Sequence, residues 1–355
     1  MIRFWELFRC IGVDDEAQPF PGMVVPFGGS NIVVLDTEGK DLRVASDHQG
    51  ITIEEFDGTA LRRQLIEKNI ELSQLDVDPL YREAMMPTSM FWYTKPRFFR
   101  IHGKKGPIGF PGAEVKAFQG RSVAATLRVV VLKPMPVKIA IRNVTVPDPQ
   151  GSIVFHSRKP CDPDKERARM NTVWVPQTNI TFDLVPSDPA LIDVRDRTTR
   201  ETLAKGFGLK DPANAVVAPE LDPRKMTETF KKLKVGQADV TFFLVDRIKM
   251  GTENPNGVMF SEHGFAVIAG SHGETTFAHE VGHFLGGEVK KGQWDGRDHD
   301  VVDERRYKKG SPELKRAQDQ NLRLLMRDGG ASWKIPFDLA KQFRGFPDRY
   351  PARAR

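Results

Sequence analysis

Two kinds of hydrophobic spacing divide this chain. From Val24 to about Lys133, apolar residues fall in short runs and alternations broken by glycine and polar turns, the period-two signature of strands. Ile32–Leu35 leads into the turn-like Thr37-Glu38-Gly39-Lys40. Arg97–Gly103 and Val123–Val131 predict two further strands. Within this β-rich stretch, Leu61, Leu65, Ile66 and Ile70 recur at helical spacing and predict a helix over Thr59–Leu72. Residues 1–25 end in Pro19-Phe20-Pro21-Gly22 and predict an N-terminal arm or a first edge element.

After Lys133-Pro134-Met135-Pro136, a linker by its prolines, strands and helices alternate. Val137–Ile141, Asn179–Val185, Val240–Val245 and Gly264–Ala269 predict strands. Asp162-Pro163 predicts the N-cap and first residue of a helix reaching about Asn171. Ser271-x-x-Glu274 has the form of a capping box for a helix carrying Phe277, Val281, Phe284 and Leu285 as its apolar stripe. A last helix is expected over about Pro336–Phe343. The plan is α+β: an arm over 1–25, a β-sandwich-like domain over 26–133, and an α/β domain over 134–355.

Composition narrows this plan. A chain of 355 residues suits two domains, and 39% hydrophobic with 28% charged residues suits globular folding. No apolar run approaches the roughly 20 residues of a membrane-spanning helix. The net charge of +6 is spread among acids, as in Asp303-Glu304-Arg305-Arg306, without a basic stripe interleaved with aromatics, so nucleic acid is not an expected partner. Cys10 and Cys161 lie far apart in sequence and make no disulfide framework. The apolar N-terminus is broken by Arg3, Glu6 and Arg9. The expectation is synthesis in the cytoplasm without a cleavable signal peptide, with any export by a signal-independent route.

The chemistry concentrates in His279-Glu280-Val281-Gly282-His283-Phe284-Leu285-Gly286, which reads H-E-x-x-H-x-x-G. Residues four apart on a helix are separated by about 40° around its axis, so His279 and His283 project from one face. Two imidazoles there can hold one Zn²⁺, and Glu280 lies to the side, where a general base belongs. The apolar stripe falls on roughly the opposite face. Five of the eight histidines lie between His263 and His299.

Residues from about 137 to 344 resemble the metzincin clan of zinc endopeptidases, in the order of elements and in this motif. The resemblance implies that Gly286 turns the chain so that a third ligand can approach, and that Met326, within Leu324-Leu325-Met326-Arg327-Asp328-Gly329, forms a Met-turn beneath the histidines. The usual spacing of the third ligand falls on Val289, which cannot bind zinc. His299, ten residues later and followed by Asp300, is the expected ligand, with Asp298 or Asp300 as oxygen alternatives. A gluzincin arrangement would instead use Glu304. The first half resembles bacterial Ig-like modules.

The resemblance implies a zinc-dependent endopeptidase in which Glu280 activates a zinc-bound water toward a peptide bond. It also implies an edge strand, expected at Gly264, Phe265, Ala266 and Val267, on which an extended peptide is laid. The expected partners are a protein or peptide substrate and, through the first domain, an envelope surface or a delivery apparatus, as for a secreted toxin or effector. The competing class is a zinc-containing binding or adhesion protein without catalysis.

Overall fold

The computed structural model describes residues 2–5, 13–14, 19–57, 96–147, 153–156, 161–192, 197–207, 220–286, 311, 335 and 337–344. The expected helix over Thr59–Leu72 lies outside them. The fold mixes β-sheets with a smaller number of helices, a broadly α+β organisation. The chain forms two compact units. One takes Met1–Met135, Thr172–Thr181 and His299–Gly345; the other takes Pro136–Asn171, Phe182–Asp298 and Phe346–Arg355.

Among the described residues, the first unit contains nine strands: β1 (Arg3–Trp5), β2 (Val13–Asp14), β3 (Gly22–Pro26), β4 (Ser30–Asp36), β5 (Arg43–Ser46), β6 (Ile51–Phe56), β7 (Arg97–Gly103), β8 (Ile108–Gln119) and β9 (Ser122–Leu132). They form one sheet in the order β1-β4-β7-β6 and another in the order β2-β3-β9-β8-β5. Alternate side chains from both sheets share one core. Phe4, Val33, Leu35, Phe99 and Ile101 come from the first, and Met23, Val25, Val115, Leu127, Val129 and Val131 from the second. The turn after β4 is closed locally: the Asp36 carboxylate accepts from Glu38 N–H at 3.0 Å, and Glu38 and Gly39 take positive φ of 49° and 74°.

Two expectations need correcting here. Of residues 1–25, the described β1 and β2 are outer strands of their sheets, the edge element the sequence offered rather than an arm, and the last strand is not at an edge. Gly22–Pro26 pairs with β2 on one side and β9 on the other, and Met23, Val24 and Val25 are fully buried. The prolines and glycine before it mark only its entry turn. Nor is the division a single cut at 133/134. Trp174 packs edge-on against Phe343 with ring centroids 4.8 Å apart, and Phe337 lies against Phe110 at 5.1 Å, so the last helix groups with the first unit.

The second unit is built on β10 (Met135–Pro147), β11 (Ile153–His156), β12 (Ile180–Leu184), β13 (Ala190–Leu191), β14 (Glu220–Leu221), β15 (Val240–Val245), β16 (Arg247–Ile248), β17 (Gly257–Phe260) and β18 (Phe265–Ala269). Its main sheet runs β11-β10-β15-β18-β17, with β12 and β13 also pairing with β10. β10, β15 and β18 are parallel, whereas β17 is antiparallel to β18. All six residues of β15 are buried, as a parallel strand covered on both faces requires.

The α-helices among the described residues are α1 (Pro163–Thr178), α2 (Arg197–Phe207), α3 (Thr227–Leu233), α4 (Thr276–Gly286) and α5 (Phe337–Arg344). One face of the sheet buries Phe243, Val245, Phe265 and Val267 with Phe230 of α3. The other meets α4, where Phe242 contacts Phe277 at a centroid distance of 5.0 Å. Asp162 caps α1 as its sequence suggests, accepting from Asp164 N–H at 3.0 Å and Lys165 N–H at 3.3 Å. The helix then runs past Asn171, through Pro176, to Thr178. Buried Met170, Val173 and Trp174 continue its apolar face, and the left-handed Asn179 (φ 51°) ends it.

Candidate metal centre and edge strand

The helix that carries the motif begins later than its sequence suggests. The first intrahelical bond runs from His279 N–H to the Thr275 carbonyl at 2.8 Å, which makes Thr275 the cap residue. Ser271 and Glu274 do not form a capping box, because both are used elsewhere. The Ser271 hydroxyl bonds Asn256 Oδ1 at 3.3 Å, and Glu274 pairs with Arg169 of α1 at 3.3 Å.

From Phe277 to Gly286, every residue is buried except His279 and His283. Phe277, Val281, Phe284 and Leu285 are each at most 1% exposed. The sequence thus turns its hydrocarbon into the core and leaves one face for the two imidazoles. Their Nε2 atoms approach to 3.0 Å, with the rings nearly perpendicular at 84°.

This spacing tests the pair as metal ligands. Two nitrogens bound to one zinc at tetrahedral angles stand about 3.3 Å apart, given Zn–N distances near 2.0–2.1 Å. The observed 3.0 Å is close to that, and the two Nε2 atoms converge rather than diverge. The same distance also suits one imidazole N–H donating to the other ring. The donor set of two imidazoles on one half-open helix face fits a zinc ion. Among the described residues, no group of three or more His, Cys, Asp or Glu side chains comes together. His299, Asp298, Asp300, Glu304 and Met326 lie outside those residues. Gly286 is the buried last residue of α4.

Glu280 sits on the flank of the same helix, 5% exposed, and lies against the backbone of β17 at Gly257. The 3₁₀ turn that follows β17 is fastened to the same helix, with the Ser261 hydroxyl donating to the His283 carbonyl at 3.1 Å. β17 and the turn after it therefore border the Glu280 carboxylate and the backbone of His283.

That strand corrects the expected edge. Phe265, Ala266 and Val267 belong to β18, which pairs with β15 on one side and β17 on the other, so no peptide can be added there. Gly264 is the left-handed residue (φ 64°) that closes the preceding turn. The edge is β17, beyond which no strand pairs among the described residues. Its four-residue run Gly257-Val258-Met259-Phe260 follows Asn254-Pro255 and carries a strand signal of its own, but nothing in its composition marks it as the outer strand.

Strand alternation decides which backbone groups of β17 face outward. Asn256 accepts a hydrogen bond from Ala269 N–H at 2.8 Å, so Val258 and Phe260 repeat that inward bonding at intervals of two. Gly257 and Met259 then direct their N–H and C=O groups to the open edge. Their α-substituent positions are on the α4 side, whereas Val258 and Phe260 pack against the opposite core. A cleft of about 260 Å³ opens at the start of the strand, lined by Asn254, Pro255, Arg247, Glu220 and Ser271; the two histidines are not part of its wall.

The remaining candidates are structural. His272 Nδ1 bonds the Ala269 carbonyl at 2.9 Å, and the His263 ring stacks on Phe265. Burial, with Glu166 adding to it, pushes the Cys161 thiol up to about 11, which keeps the metal-free thiol protonated at neutral pH. No helix of the described residues is long and apolar enough to cross a membrane.

No family model matches the chain, and no curated protein matches it. Among solved structures, domains 4 and 5 of the S-layer protein SbsC are similar over 37% of this chain and 54% of theirs, at 13% identity and a TM-score of 0.16. The chain spans about half the length of that structure, and a likeness so low carries no argument about fold or function.

Proposed function

We propose that this protein is a zinc-dependent endopeptidase of metzincin type. The observation that carries the reading is the convergence of His279 and His283 Nε2 at 3.0 Å on the one unburied face of α4, with Glu280 on the adjoining flank against an open strand edge. From β10 through α1 and β12 to the later strands and α4, the chain gives strand, helix, strand, further strands and motif helix, with α2 and α3 interposed and with β18, not the edge strand, directly before α4; this order is compatible with the metzincin resemblance. A structural zinc site needs no carboxylate beside it, so Glu280 favours catalysis over a binding or adhesion role.

His279 and His283 would hold the ion, with His299 as the third ligand. A zinc ion there would polarise a substrate carbonyl and lower the pKa of water to about 7. Glu280 would accept the proton of the attacking water and deliver it to the departing amine. An extended peptide would lie antiparallel on β17 and bond the outward N–H and C=O of Gly257 and Met259. The buried wall formed by Phe277, Val281 and Phe284 keeps bulk water from the core side of the helix. The first unit would place the enzyme at a surface or on a delivery partner, as a secreted effector requires.

The test is hydrolysis of a generic unfolded protein by the full chain, loaded with zinc, with and without a chelator. Cleavage that stops on chelation, returns with zinc, and is absent from E280Q at unchanged zinc content is expected. A wild-type protein that takes up no zinc, or a fully active E280Q, ends the reading. Zinc content of H299A and E304A separates the two proposed third ligands.

A further inference from the structure

The Cα of Gly257 lies directly beneath the Glu280 carboxylate. A methyl group at this position would stand 2.5 Å from Glu280 Oε1 and 2.8 Å from both Cδ and Cγ. These three nearest atoms all belong to the Glu280 side chain, and each distance is below 3.0 Å, so a methyl there obliges that side chain to move. The backbone of Gly257 does not have the positive φ of the left-handed glycines elsewhere in the chain, such as Gly251 and Gly264. A side chain at this position is therefore opposed by the Glu280 side chain over it, not by the conformation of the strand.

We propose that Gly257 is a positioning residue, whose missing side chain forms the seat that holds the Glu280 carboxylate against the edge strand. Glu280 is carried by a helix and Gly257 by a strand, so the seat fixes the carboxylate relative to the element that would receive the peptide. Gly257 also directs its own N–H and C=O to the open edge, by the alternation set at Asn256. The same residue then aligns the base and the chain to be cut. A side chain there would lift the carboxylate from the strand by roughly the radius of a methyl group. Displacements of about 1 Å in a catalytic group reduce rates on the order of 100-fold.

The kinetic consequence rests on the peptidase reading; the packing consequence does not. Four full-length proteins test both: wild type, G257A, E280A and G257A/E280A. In thermal unfolding, G257A is expected to melt below wild type, because the methyl collides with Glu280. The same change in the E280A background is expected to leave the melting temperature unaltered, because the colliding atoms are gone. An equal loss in both backgrounds, or none in either, overturns the seat.

With zinc bound, G257A is expected to keep wild-type metal content and KM while kcat falls on the order of 100-fold, with the acidic limb of its pH profile displaced. A purely structural defect would lower zinc content and kcat together and leave the pH profile in place. Wild-type kcat in G257A overturns the proposal. A wild-type protein that binds zinc and cleaves nothing removes the peptidase reading alone, and the melting comparison then decides the seat.

Discussion

Ser261 and His283 are joined side chain to backbone: the serine hydroxyl donates to the histidine carbonyl at 3.1 Å, across 22 positions of sequence. The bond ties the turn after β17 to the third turn of the motif helix. With Gly257 under Glu280 at the other end of the strand, it holds β17 alongside α4 at two points. An antiparallel strand at a sheet edge has neighbours on one side only, so these fastenings bear on whether it keeps its place.

Replacing Ser261 with alanine removes that bond without altering either histidine ring. A typical hydrogen bond contributes about 1 kcal/mol, and S261A is expected to lower unfolding stability by roughly that amount. Chemical denaturation of the two proteins checks it. Identical midpoints would show that the turn is held by other contacts alone.

The outward groups of Gly257 and Met259 make a period-two prediction for substrates. N-methylation of a peptide at residues that pair with this edge removes a donor and adds bulk, and each lost bond of about 1–1.5 kcal/mol corresponds to roughly tenfold in KM. Methylation at the intervening residues, whose N–H groups face solvent, is expected to change KM by less than about twofold. A methylation scan with no alternation removes β17 as the receiving strand.

What the sequence discloses about this site follows from which interactions are local. The stripe of Phe277, Val281, Phe284 and Leu285 and the four-residue spacing of the histidines are properties of one helix, and both are seen in α4 as expected. The N-cap Asp162 is equally local. The start of α4 is not, because Ser271 and Glu274 are drawn to Asn256 and Arg169, 15 and 105 positions away. Which strand lies at the edge is not a local property either. Gly257–Phe260 and Phe265–Ala269 are both short apolar runs, and only the pairing of the second with distant β15 makes it the inner strand. Gly257 carries no signal beyond being a glycine near a turn; its meaning depends on Glu280 lying over it. The helix over Pro163–Thr178 runs past its expected end near Asn171 and across Pro176, where the Gln177 and Thr178 side chains donate back to the Val173 and Trp174 carbonyls, both at 2.7 Å.

Cys161 gives a prediction in the alkaline range. Its thiol is held up to about 11 in the folded protein, chiefly by burial and next by Glu166, against 9.0 for a free thiol. Between those values the folded protein keeps a proton that the unfolded chain has released. Stability contributed by this group is therefore present below about pH 9 and is lost as pH rises toward 11. Other groups titrate in the same range, so the comparison is with C161A, which is expected to show a shallower fall in melting temperature between those limits. Native Cys161 is also expected to react slowly with iodoacetamide at pH 8 and quickly in denaturant. Rapid alkylation of the folded protein would show an accessible thiolate.

The seating of α4 on the sheet is the last determinant of the histidine pair. Phe277 is 1% exposed and meets Phe242 at 5.0 Å, while the His272 ring stands edge-on to it at 5.2 Å. It is two residues before His279 and faces the opposite way, so it sets how far the imidazole face stands from the strands. Truncation to alanine in such a core costs about 3–5 kcal/mol. Phe277→Leu keeps most of the volume and is expected to cost less than half of that while retaining zinc affinity. Phe277→Ala leaves a cavity into which α4 can settle, and is expected to lower zinc affinity as well as stability. Denaturation midpoints and zinc titrations of both variants separate the two effects. Zinc affinity in Phe277→Ala equal to wild type, at reduced stability, would show that the imidazole pair is held by α4 alone, without help from the sheet beneath it.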